Sequence, residues 1–232
     1  MVEIKGLEKF APLDFRGFIS STVFLGGCNF RCPYCHNADL VLQPESLTTL
    51  PLDYFVTFLD SRKGWLEGVC VSGGEPLLED NLEVLLRVIK DRNLLVKLDT
   101  NGSRPDRLED LIGARLVDQV AMDVKAPLGR YKEVTRSEVD EGDIVRSTEI
   151  IRASGLPYMF RTTLVPGLVE ERDLLQVAQM LHGARLFQVQ QFSRQNTIEK
   201  NYLQLQPFPP EEIRRMADLV RPYFAEVRVE GI

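Results

Sequence analysis

The stretch Leu25–Asn37, LGGCNFRCPYCHN, holds three of the chain's four cysteines: Cys28, Cys32 and Cys35, spaced C-x3-C-x2-C. Thiolates act as nucleophiles, redox centres and metal ligands, and four accounts compete for these three. Cys32-Pro33-Tyr34-Cys35 has the pattern of a thiol redox motif, but that chemistry leaves Cys28 without a part. Structural zinc needs four ligands. The fourth here is either His36, which adjoins Cys35 awkwardly for tetrahedral closure, or the distant Cys70. Core packing is a poor account of three thiols set among Gly26, Gly27, Asn29, Arg31 and Pro33. An iron–sulfur cluster with three protein ligands is the fourth account. Ordinary [4Fe–4S] clusters take four cysteines, so three leave one iron open to a small molecule. Cys70, between Val69 and Val71, reads as a small buried hydrophobe with no function.

Four further motifs carry groups that could do chemistry: SGGEP (Ser72 to Pro76), DTNG (Asp99 to Gly102), MDVKAP (Met122 to Pro127) and VPG (Val165 to Gly167). Gly73 and Gly74 allow backbone to approach a ligand closely. Glu75 beside them can accept a charge-assisted hydrogen bond from an ammonium group. Taken alone, the same residues read as an ordinary turn with an exposed glutamate. Asp99, Thr100, Asp123 and Lys125 read either as a binding set or as solvated charge. Asn37 and Asn101 are equally well explained as turn residues.

The cysteine spacing, with Tyr34 before the third thiol and GGE downstream, resembles the signature of the radical S-adenosylmethionine (radical SAM) superfamily. The segment Gly6–Asn37, together with SGGEPLL, DTNG and MDVKAP, resembles the activating enzymes of glycyl radical enzymes, in particular the anaerobic ribonucleotide reductase type. The resemblance runs through motifs to Pro127, and beyond that through alternating strands and helices and LVPG. It implies a [4Fe–4S] cluster on Cys28, Cys32 and Cys35 whose open iron chelates the amino and carboxylate groups of S-adenosylmethionine. One electron then releases methionine and a 5′-deoxyadenosyl radical. Tyr34, Cys35 and His36 are expected along the adenine. Gly73, Gly74, Glu75, Asp99, Asp123 and Lys125 are expected around the cofactor, with a monovalent cation near Asp99, Thr100 and Asp123. Expected partners are a glycyl radical enzyme, with anaerobic ribonucleotide reductase first, and a one-electron donor such as flavodoxin or ferredoxin. The pyruvate formate-lyase activating enzyme carries a late ribose-binding histidine. Here only His182 remains, at a helix end, so the ribose contact is unassigned, with the loop Ser193–Tyr202 as one source. The alternatives are a radical SAM enzyme acting on a small molecule or RNA, and a non-catalytic metal or electron-transfer protein.

The elements that must position these residues alternate. Strands are expected at Gly17–Leu25, Leu66–Gly73, Leu94–Thr100, Leu116–Val124, Pro157–Val165 and Arg185–Phe192, with a short one at Ala225–Gly231. Amphipathic helices are expected at Leu52–Arg62, Leu82–Arg92, Arg107–Ala114, Asp143–Gly155, Glu171–Gly183 and Pro210–Phe224. Strict alternation implies a parallel sheet with helical crossovers. The expected class is α/β, a partial (βα)6 barrel of parallel strands, with a doubly wound sheet as the competitor. Either arrangement puts ligands at the C-terminal strand ends, where the five motifs fall. No linker is visible, so residues 1–232 read as one domain with a short N-terminal segment, 1–16. The chain has 232 residues, 44% hydrophobic and 27% charged, as in ordinary globular proteins. A net charge of −6 counts against a nucleic-acid surface. No run approaches the ~20 apolar residues of a membrane span, and the N-terminus lacks a signal-peptide core. The expected location is cytoplasmic, with no membrane or nucleic-acid partner.

Overall fold

The computed structural model describes residues 2–232. Eight strands follow one another in sheet order as in sequence: β1 (Ile4–Glu8), β2 (Ser20–Leu25), β3 (Gly68–Gly73), β4 (Leu95–Thr100), β5 (Gln119–Asp123), β6 (Tyr158–Leu164), β7 (Leu186–Gln191) and β8 (Glu226–Glu230). A doubly wound sheet requires the strand order to reverse. None does, so the winding is of the barrel type. β2 pairs in parallel with β3, β3 with β4, β6 with β7 and β7 with β8. The final short strand is present as expected.

β1 departs from the expectation. The N-terminal segment contains a strand, antiparallel to β2, with a register shift between Ile4 and Gly6. IKGLE shows no alternation that would announce it; only Ile4 is fully buried. Pairing with β2, the next strand, makes it a strand.

The described residues group into two compact units. The first comprises residues up to 29, 39–100 and 104–120; the second comprises 30–38, 101–103 and 121–232.

In the first unit, β2 and β3 are buried along most of their length, as parallel strands covered on both faces must be. The helices here are α1 (Ala38–Leu42), α2 (Leu52–Ser61), α3 (Leu82–Lys90) and α4 (Pro105–Gly113). α3 shows why such segments are helices. Leu82, Leu85, Leu86 and Ile89 recur at helical spacing and all are fully buried, while Val84 faces outward.

The second unit holds α5 (Tyr131–Thr135), α6 (Glu141–Ala153), α7 (Glu171–Met180) and α8 (Pro210–Val220). The Asp140 carboxylate accepts from Gly142 N–H at 2.8 Å and caps α6. Gly155, at φ +73°, turns the chain beyond its end, where the sequence placed the stop. α5 was not foreseen. Five residues are too few to carry a periodic signal.

Each motif begins where its strand ends. Leu25 leads into the cysteine loop, Gly73 ends β3, Thr100 ends β4, Asp123 ends β5 and Leu164 leads into VPG.

Leu86→Ala should cost about 2–5 kcal/mol in urea unfolding, through lost transfer energy and the cavity left behind. Val84→Ala, on the exposed face of α3, should stay within about 0.5 kcal/mol of wild type. Equal losses at the two positions would contradict this burial pattern.

Candidate active site

The first unit holds Cys28, the GGE turn and the end of β4. Backbone carries the contact between the turn and the start of the cysteine loop. Gly74 N–H donates to Leu25 O at 3.0 Å, and Glu75 N–H donates to Gly27 O at 2.8 Å. The approach is so close that a Cβ on Gly74 would lie 1.8 Å from Gly27 O, and one on Gly73 would lie 2.3 Å from Leu25 O. Gly73 (φ +129°) and Gly27 (φ +80°) also adopt backbone conformations that suit glycine.

Glu75 is not the exposed glutamate of an ordinary turn. It is 1% exposed. Its Oε1 accepts from Leu77 N–H at 3.1 Å and from the Thr100 hydroxyl at 2.7 Å. The carboxylate thus caps the short 3-10 turn Pro76–Leu78 and ties it to the end of β4.

Asp99 lies two residues from Lys97 on β4, so both share one face of the strand. They form an ion pair, with Lys97 2% exposed. Ser72 Oγ donates to Asp99 Oδ2 at 3.4 Å. Cys70 also belongs here. Its thiol reaches Asp99 Oδ1 at 3.6 Å, and the Lys97 ammonium reaches its sulfur at 3.5 Å. Cys70 is buried as expected, but its surroundings are polar on this side.

The second unit holds Cys32, Tyr34, Cys35 and His36, and the end of β5. Cys35 N–H closes a turn on Cys32 O at 3.0 Å. Burial pushes the Cys35 thiol up, while the backbone N–H of Asn37 and the Lys125 ammonium oppose that. A backbone donor aimed at a sulfur is the outer-shell support that metal thiolates use. Tyr34 is buried and its phenol pKa is raised, mainly by burial. His36 has its pKa lowered by burial first and by the Lys125 cation second, so it is neutral at pH 7.

Asp123 accepts from Arg161 Nε at 2.7 Å and from Lys125 Nζ at 3.0 Å. Burial alone would raise its carboxyl, but the two cations outweigh burial and hold it well below the usual carboxylate range. Asp123 conversely holds Lys125 above its ordinary range, against burial. Asp123 is thus shared by two cations. Arg161 was missed in the sequence. Its strand position in PYMFRTTLV was legible, but pairing with Asp123 needs the fold.

The loop Ser193–Tyr202, left open above, reaches the cysteine loop within this unit: Glu199 N–H donates to Pro33 O at 2.9 Å. His182 sits elsewhere, edge-on to Tyr223, with its carbonyl accepting from Arg152. Asn101 is a turn residue whose Oδ1 accepts from Ser103 N–H at 2.9 Å.

All four cysteines are free of disulfides. No group of three or more Cys, His, Asp or Glu side chains is gathered for a metal among the described residues. The three loop thiols are donors of the kind a [4Fe–4S] cluster takes, and a glycine cradle holds the start of their loop.

The chain matches the radical SAM superfamily over residues 22–181. It belongs to that family. A Methanocaldococcus jannaschii protein with the provisional name glycyl-radical enzyme activating enzyme is 29% identical over 99% of this chain and 96% of its own length. The pyruvate formate-lyase-activating enzyme of Streptococcus mutans is 27% identical over 91% of this chain and 84% of its own. Among solved structures, Streptococcus suis SuiB shares the fold, with a TM-score of 0.68 at 14% identity. That alignment covers 89% of this chain but 47% of SuiB, so the chain spans about half that protein's length. This radical SAM protein is therefore an enzyme related to glycyl-radical enzyme activases, and the family implies an iron–sulfur cluster and S-adenosylmethionine. No helix among the described residues is long and apolar enough to cross a membrane.

Gly74→Ala should sharply lower iron incorporation during anaerobic reconstitution, because its Cβ collides with Gly27 backbone. Gly113→Ala, whose Cβ meets nothing within 4 Å, should load iron normally. Matching iron contents would argue against the cradle.

Asp123 also sets an acid dependence. Its folded carboxyl is depressed, so its contribution to stability is complete above the ordinary carboxylate pKa of about 4 and is lost as pH falls toward the folded value. Melting temperatures should fall more steeply below about pH 4 in wild type than in Asp123→Asn. Parallel curves would refute the pairing.

Proposed function

We propose that this radical SAM enzyme is a protein-modifying activase. It takes the α-hydrogen from a glycine of a partner glycyl radical enzyme, first an anaerobic ribonucleotide reductase. The supporting observation is likeness to activating enzymes along nearly the whole chain, including one relative matched over 96% of its own length.

Cys28, Cys32 and Cys35 are the cluster ligands in this reading. The cluster, when bound, supplies the electron that breaks the carbon–sulfur bond of S-adenosylmethionine. The chain's residues bind and orient that molecule and exclude water. Gly73 and Gly74 offer backbone at close range, and the Glu75 carboxylate holds their turn. Asp99 faces the ammonium end. Lys125, with Arg161 beside the shared Asp123, meets the carboxylate end through a charge-assisted bond. Tyr34 and neutral His36 line the adenine. The 5′-deoxyadenosyl radical takes the glycine hydrogen atom, leaving 5′-deoxyadenosine and a glycyl radical. The electron donor is a flavodoxin or ferredoxin, and the setting is cytoplasmic. The family match runs through both units, which supports one radical SAM domain across 1–232. The net charge of −6 counts against an RNA substrate.

Reconstituted protein should hold about four irons per chain. Alanine at Cys28, Cys32 or Cys35 should abolish them, while Cys70→Ala should not. With the reductase present, S-adenosylmethionine cleavage should accelerate and a persistent doublet should appear in electron paramagnetic resonance. Deuterium on the reductase's glycine Cα should pass to 5′-deoxyadenosine. Label arriving only from a small metabolite, with no glycyl radical on any candidate enzyme, would overturn the activase reading in favour of a small-molecule substrate.

A further inference from the structure

Lys97 is an unusual residue to bury. It lies within β4, 2% exposed, and faces Cys70 across the parallel register of β3. An ammonium group in such a place is expensive unless a fixed anion and hydrogen bonds compensate it. Asp99 is that anion, and its side chain is itself 13% exposed. Around the pair, Ser72 donates to the carboxylate at 3.4 Å and Cys70 lies within 3.6 Å of both charges. Strand geometry enforces the arrangement. Lys97 and Asp99 share one face of β4, and Cys70 and Ser72 share one face of β3.

This bears on the monovalent cation expected near Asp99, Thr100 and Asp123. A carboxylate attracts an alkali ion when no nearer cation neutralises it. Asp99 already holds the Lys97 ammonium. The Thr100 hydroxyl is directed at Glu75. Asp123 carries both Arg161 and Lys125. Each side chain offered to the ion is engaged by a protein group, so the residues present do not fit an added alkali ion.

We infer that Lys97 is a positioning residue that serves as the built-in counter-ion of Asp99, so that this chain takes S-adenosylmethionine without a bound alkali cation. The inference rests on the binding set proposed above for S-adenosylmethionine. Lys97 touches neither the reacting atoms nor the cofactor. It fixes the rotamer and charge of Asp99, and Asp99 makes the contact.

Two measurements test it. The first titrates S-adenosylmethionine into iron-replete protein in potassium, sodium or tetramethylammonium chloride at equal ionic strength. Wild type should bind equally in all three. Lys97→Met keeps an unbranched side chain, one atom shorter, and removes the charge. It should bind at least about tenfold more weakly in tetramethylammonium, the scale of one charge-assisted bond, and should recover in potassium or sodium. A merely structural role predicts loss in every salt without recovery, and that result overturns the inference. So does a wild-type affinity that depends on alkali cation.

The second measurement follows sodium-23 relaxation on wild-type protein and needs neither a variant nor S-adenosylmethionine. No saturable, potassium-displaceable broadening is expected, and its appearance would overturn the inference. If Lys97→Met does not fold, Lys97→Met/Asp99→Asn removes both charges and should fold, and the sodium measurement still decides. Iron-replete wild type that binds no S-adenosylmethionine in any salt would instead sink the proposed binding set, and the sodium result alone would then judge the counter-ion claim.

Discussion

The carbonyl oxygen of Gly27 accepts the N–H of Glu75, and this one backbone contact ties the GGE turn to the start of the cysteine loop. It is available only because residue 74 has no side chain: any Cβ there would overlap Gly27. Through it, the end of β3 holds the beginning of the cysteine loop. The loop needs such a hold because its own residues cannot supply one. It is rich in glycine and lacks regular structure until α1. A thiol-bearing loop whose backbone is already fixed spends less of the ligand's binding free energy on ordering itself.

Once the backbone is fixed, charge is the next constraint. Three carboxylates stand at the ends of β3, β4 and β5, and each is satisfied in its own way. Glu75 takes a backbone N–H and a hydroxyl, Asp99 takes a lysine, and Asp123 takes an arginine and a lysine. A charge desolvated without such partners would cost several kcal/mol or lose its ionisation.

Within the second unit, the cysteine loop rests on elements from far along the chain. Arg31 N–H donates to Thr135 O at the end of α5, and Glu199 N–H donates to Pro33 O. Phe30 meets the buried ring of Tyr131 edge-on. The loop after β7 therefore supports the loop after β2, and a substitution near Glu199 can disturb iron binding without touching a thiol.

The cysteine spacing, GGE and the strand–helix alternation were legible in the sequence because each is local. Ligand spacing is a matter of a few residues, and the periodicities of strand and helix repeat every two or 3.6 residues. The placement of every motif at a strand's carboxyl end followed from alternation alone. β1 and α5 were not legible, since IKGLE and YKEVT are too short to show a period; β1 exists through pairing with β2, and α5 through burial of Tyr131, Val134 and Thr135. The partners of the charged groups divide along the same line. Lys97 and Asp99 sit two apart in VKLDT, so their shared face could have been read from the sequence. That Cys70 stands opposite Lys97 required the register of β3 against β4. Arg161 meets Asp123 from 38 residues away, and no local pattern announces it. Short-range chemistry, including the Lys97–Asp99 and Lys125–Asp123 pairs, was therefore written in the sequence, whereas Cys70 beside Lys97 and Arg161 beside Asp123 were supplied by the fold, because only strand register brings distant side chains within reach.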